Sequence, residues 1–82
     1  MTITIPGYTS LTGRPHTILR LMLDARLWDP KSMTVEEYIK TVKTEAWRFY
    51  GILLNVTGDT IEEQAESLLR EMARYHLIEI QD

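Results

Sequence analysis

Between Thr60 and Ile80 the hydrophobic period changes, and this constrains the fold more than any other stretch of the chain. Thr60 and Glu63 have the spacing of a capping box, in which each side chain reaches the other residue's backbone N–H. Behind that box Ile61, Ala65, Leu68, Leu69, Met72 and Tyr75 fall on one face at helical spacing. Ile78 and Ile80 then alternate with Glu79, as one face of a strand does. A helix that runs directly into a strand needs other elements to cover the apolar side of both.

The chain has 82 residues, enough for one small domain, residues 1–82. With 44% apolar and 26% charged residues its composition is that of a globular chain. It has no cysteine, which excludes disulfides, thiolate catalysis and cysteine-based metal sites. No apolar run approaches the roughly 18–20 residues of a membrane span. The start, Met-Thr-Ile-Thr-Ile-Pro, lacks the basic and apolar regions of a signal peptide, so a cytoplasmic location is expected, with no membrane partner.

The net charge of −3 is unevenly spread. Residues 1–50 hold seven Lys/Arg and five Asp/Glu (+2), and residues 51–82 hold two and seven (−5). The acidic C-terminal third argues against a nucleic-acid surface there.

In chain order, Thr2–Ile5 alternates and is β-branched, which predicts a short strand. Pro6-Gly7 ends it, and Tyr8 to Gly13 reads as a loop without period. A first helix is expected from Arg14 or Pro15, stopping before Pro30. It carries two apolar faces: Ile18, Leu21, Met22, Ala25 and Trp28 on one, and the row Leu19, Leu23 and Leu27 on the other. A helix apolar on two sides is sandwiched. The leucine row either packs under the sheet or forms a subunit interface.

Thr34 and Glu37 repeat the capping-box spacing after Ser32. Val35, Tyr38, Ile39, Val42, Ala46 and Phe49 then form an apolar stripe, and Gly51 sits where a left-handed cap is expected. Trp47 lies about 100° off this stripe, beside Lys40, Lys43 and Glu36. A basic patch with an interleaved aromatic binds phosphate backbones or a protein partner, or is simply a Trp flanked by lysine stems. Ile52–Val56 reads as a third strand or a buried connector, and Gly58-Asp59 as a turn.

No catalytic constellation emerges. His16 and His76 are sixty residues apart, outside any HxxxH or HExxH spacing. His76 suits a helix C-terminus. No serine has a Gly-x-Ser-x-Gly context. Glu62, Glu63 and Glu66 lie opposite the apolar stripe of the third helix, where Glu66 can pair with Arg70. The expectation is a non-enzymatic chain with no metal and no cofactor.

The segment Glu66-Ser-Leu-Leu-Arg-Glu-Met-Ala-Arg-Tyr-His-Leu-Ile-Glu-Ile80 resembles the end of a winged helix-turn-helix domain. There the third helix closes in a Leu-x-x-x-Gly-Leu-Ile phrase that enters a strand; here His76 takes the glycine position. The resemblance implies a DNA-binding regulator, yet the helix that would read the major groove begins with carboxylates: Asp59, Glu62 and Glu63. It therefore looks like a version used to bind protein.

The expected fold is α+β: three helices and a small sheet formed by the N- and C-terminal strands, winged-helix-like. The expected function is a protein-interaction module or accessory subunit, self-paired as a homodimer or joined to a different chain. Its candidate interface residues are Leu19, Leu23, Leu27, Lys40, Lys43, Trp47, Glu62 and Glu66. The alternative is DNA binding through the Lys31, Lys40 and Lys43 side.

Overall fold

The computed structural model describes residues 1–27 and 34–81. The elements run β1 (Thr2–Thr4), β2 (Ser10–Thr12), α1 (Pro15–Asp24), α2 (Val35–Tyr50), α3 (Ile61–Arg74) and β3 (Glu79–Gln81). This is an α+β arrangement of three helices on a three-stranded antiparallel sheet of order β2-β1-β3. The N-terminal strand is central and pairs with the C-terminal one in the register Ile3 to Ile80.

The loop expected over Tyr8–Gly13 contains a strand instead. Ser10-Leu11-Thr12 has only one apolar residue, so its period is invisible in the sequence. Pairing with β1 defines it, with Ile3 opposite Leu11. Between them the chain reverses at Pro6-Gly7, where Tyr8 N–H donates to Ile5 C=O at 3.0 Å. Gly7 has φ 77, and proline followed by a left-handed residue is the sequence of a type II turn. The sheet is two-faced. Ile3, Leu11 and Ile80 face the helices, while the outer face pairs hydroxyls, Thr2 with Thr12 at 2.9 Å and Thr4 with Ser10 at 3.0 Å.

Helix α1 starts at Pro15 as expected but ends at Asp24, well before Pro30. Arg26 stops it by adopting φ 55. Arg26 N–H then donates to Leu23 C=O and Leu27 N–H to Met22 C=O, the paired bonds of a Schellman motif. The helix touches α2, α3 and β2, which explains its two apolar sides. Ile18, Leu19 and Met22 are wholly buried, Leu23 is 7% exposed, and Leu27 packs half-buried against the same core. Leu21 and Ala25, assigned by period to an apolar face, are exposed. Trp28, Pro30, Lys31 and Ser32 lie outside the described residues.

Helix α2 is capped by Thr34, whose hydroxyl accepts from Glu37 N–H at 3.1 Å. The Glu37 carboxylate accepts from that same hydroxyl, at 2.9 Å. Gly51 closes the helix at φ 65. Tyr38 is fully buried and donates its phenolic hydrogen to Leu27 C=O at 2.9 Å, tying the end of α1 to α2. Desolvation by burial pushes its pKa well above the ordinary phenol value.

Helix α3 carries the complete capping box: Thr60 Oγ1 accepts from Glu63 N–H, and Glu63 accepts from Thr60 N–H, both at 3.1 Å. It ends in a second Schellman motif. His76, at φ 63, donates its N–H to Ala73 C=O, and Leu77 donates to Met72 C=O.

Ile52–Val56 is a connector outside any strand, and of its residues only Leu54 is fully buried. It still alternates, with Ile52, Leu54 and Val56 turned toward the core and Leu53 and Asn55 outward. One of its backbone donors, and that of Thr57 just after it, go to side chains of α3. Asn55 N–H donates to Glu71 Oε1 and Thr57 N–H to Ser67 Oγ, each at 2.9 Å. Ser67 and Glu71 therefore strap the connector to α3.

Candidate functional site

The apolar stripe of α2 is longer than the core that covers it. Val35, Tyr38, Ile39, Val42 and Ala46 are buried, and Ala46 is wholly so. From Trp47 to Gly51 every residue is exposed. With 16 residues the helix is about 24 Å long, against about 15 Å for α1. Its last turn, Trp47–Tyr50, is solvent-exposed.

Phe49 is the corrected residue. The stripe assigns it to the core, three positions after Ala46, yet it is 67% exposed. Tyr50, four positions after Ala46, is 58% exposed. Trp47 on the flank is 62% exposed, and Leu53, just past the helix, 69%. Three of the seven aromatic residues of the chain thus stand in the four positions 47–50. That density, directly before the capping glycine, is the sequence signal that marks this exposed end.

Lys40 is exposed and Lys43 half-buried on the Trp47 side, while Glu45 lies on the opposite flank of the helix and Arg48 next to Trp47 in sequence. Among the described residues the ion pairs are Arg20–Asp24, Arg70–Glu66 and Arg74–Glu71, and none of the four α2 charges joins one. The Arg48 guanidinium instead sits 5.5 Å from the centroid of the Phe49 ring.

The other candidate positions lie elsewhere. Leu19 and Leu23 are core and Leu27 is half-buried against it, so the leucine row supplies no exposed interface. Glu62 is half-buried, and Glu66 is exposed and bound to Arg70 at 3.1 Å. Neither is paired with Lys40 or Lys43 within the chain.

A shallow cleft of about 610 Å³ runs between the connector and α3, lined by Asn55, Thr57, Glu63, Glu66, Arg70 and Glu71 among others. Its carboxylates all have internal partners: Glu63 caps α3, Glu66 holds Arg70, and Glu71 holds Asn55 N–H and Arg74. Among the described residues no group of three or more His, Asp or Glu side chains is placed to hold a metal ion. No helix there is long and apolar enough to cross a membrane.

Comparison of the chain with protein-family models, curated proteins and solved structures gave no match.

Proposed function

We propose that this chain is a non-enzymatic protein-interaction module or accessory subunit that docks through the exposed C-terminal end of α2. The observation that carries this reading is the exposure of Phe49 and Tyr50 on a stripe that is otherwise core. Exposed apolar side chains that continue a core stripe suit burial against another molecule. Tyr, Trp and Arg are also the residues that most often anchor protein interfaces, and Trp47, Arg48 and Tyr50 supply one of each within four positions.

A photo-crosslinking residue in place of Phe49 tests this in cells that express the chain, with the same residue in place of Thr12 on the polar face of the sheet as control. The expected outcome is a polypeptide adduct specific to position 49. Adducts equal at both positions, or confined to nucleic acid or lipid, would refute the reading.

A second reading is a winged-helix-like DNA-binding regulator. It is favoured by Lys40, Lys43 and Arg48, which have no ion-pair partners among the described residues and flank an exposed Trp47. Stacking surfaces with flanking cations suit nucleic acid. Against it, α3 begins with Glu62 and Glu63 in its first turn. Retention of duplex DNA at physiological salt, lost in Lys40→Glu with Lys43→Glu, would promote this reading. Its log K should then fall by about 0.9 per phosphate for each decade of salt.

A further inference from the structure

We infer that the open edge of β3 docks an extended segment of another protein, one in which a Lys or Arg directly follows an apolar residue. Among the described residues none of α2 lines this surface, so it stands apart from the docking end proposed above.

Hydrogen-bond direction defines the edge. On either side of β1, Ile5 N–H donates to Thr9 C=O and Met1 C=O accepts from Gly13 N–H, so the odd-numbered residues aim their backbone groups at β2. These directions alternate along an antiparallel strand, so Thr2 and Thr4 aim theirs at β3, where Gln81 and Glu79 face them. Ile80, opposite Ile3, is then in the non-hydrogen-bonded pair. Its N–H and C=O point away from β1, to the side where the described sheet ends. An extended backbone supplies an acceptor and a donor to both groups at once.

A cleft lies beside this edge. It has a volume of about 430 Å³, and its lining includes Ala73 in the last turn of α3 together with Ile78, Glu79 and Ile80. Among the described residues none of β1 lines it, so it lies on the flank of β3 that β1 leaves open. Buried Ile78 with half-buried Ala73 and Ile80 make it apolar on the helix side of the sheet. An added residue opposite Ile80 turns its side chain to that same side, and so into the cleft.

Charge sets the next position. Both strand pairs of the sheet are antiparallel. A strand added in the same sense places the residue after the apolar one opposite Glu79. Glu79 is exposed and joins none of the ion pairs among the described residues. A Lys or Arg opposite it completes a cross-strand pair, whereas an acidic residue there is repelled.

Amide NMR spectra of the isotope-labelled chain, titrated to about 1 mM with the peptide Ser-Thr-Val-Lys-Val-Thr-Ser, test this docking. In the chain alone the Ile80 amide should exchange with solvent faster than that of Glu79, which bonds to β1. The peptide should slow Ile80 exchange and shift the amides of Ala73 and Glu79. Glu79→Lys, at an exposed position, should weaken this peptide about fivefold and favour Ser-Thr-Val-Glu-Val-Thr-Ser in its place. Ile80→Pro should abolish binding, because it removes the outward donor and leaves the ladder to β1 intact. If that variant does not fold, the charge swap decides. Shifts absent at the highest peptide concentration, or confined to Ser10 and Thr12 on the opposite edge or to the end of α2, would overturn the inference. So would equal binding of both peptides to both proteins. An Ile80 amide that becomes protected as protein concentration rises would give the edge to a second copy and overturn it as well.

Discussion

Replacing His76 by glycine should stabilise the protein. His76 occupies the left-handed position that closes α3, at φ 63, and its N–H and that of Leu77 satisfy the last carbonyls of the helix. An L-residue in this conformation costs roughly 1–2 kcal/mol. Glycine removes that cost but gives the unfolded chain more freedom, which offsets about 0.4–1 kcal/mol. The His76 side chain is exposed, so little packing is lost with it. The net expectation is a gain of about 0.5–1 kcal/mol, or about 3–6 °C in melting temperature for a domain of this size. Arg26→Gly should act in the same direction, because Arg26 closes α1 in the same way at φ 55. Urea unfolding at neutral pH, followed by circular dichroism, measures both. A midpoint that is unchanged or lower in His76→Gly, at constant slope, would refute the argument from left-handed strain.

Three further outcomes are expected. Leu23→Asp should unfold the chain rather than dissociate an assembly, since it buries a carboxylate at a site only 7% exposed; a folded, monomeric variant would contradict its place in the core. Glu71→Ala should cost about 0.5–1.5 kcal/mol in urea unfolding by removing the acceptor of the solvent-accessible Asn55 N–H, with Glu71→Gln milder because it keeps an acceptor oxygen. Tyr38→Phe should cost about 1 kcal/mol at pH 7 through the lost bond to Leu27 C=O. The folded pKa of Tyr38 is raised above the unfolded value, so its contribution is complete below about pH 10 and falls as pH rises beyond that. Stability measured from pH 8 to 11 should drop at the alkaline end in the unmodified chain and be flatter in the variant.

Features set by neighbouring residues were legible in the sequence. The caps at Thr60 and Thr34, the closing glycine at 51 and the proline start of α1 each depend on side chains within a few positions. The pairing of the terminal strands was legible for a different reason: Ile3 and Ile80 belong to the two most clearly alternating, β-branched runs. Strand β2 was not legible, because Ser10-Leu11-Thr12 becomes a strand only through its ladder with β1. The stop at Arg26 was missed because nothing in an arginine announces a positive φ, whereas Pro30 offered a visible but later limit. The roles of Ser67 and Glu71 depend on where the connector passes, which helical period does not encode. The site suffered from the same gap. Period gives the direction in which Phe49 points, but only the length of the neighbouring elements decides whether anything lies beneath it.

The most direct test of the central claim is the unfolding free energy of Phe49→Ser, measured at low protein concentration. If Phe49 lies on an exposed end that only a partner covers, the monomer should lose no more than about 0.5 kcal/mol, as at an ordinary surface site. A loss of about 3–5 kcal/mol, the cost of truncating a buried aromatic, would place Phe49 in the chain's own core and contradict the account.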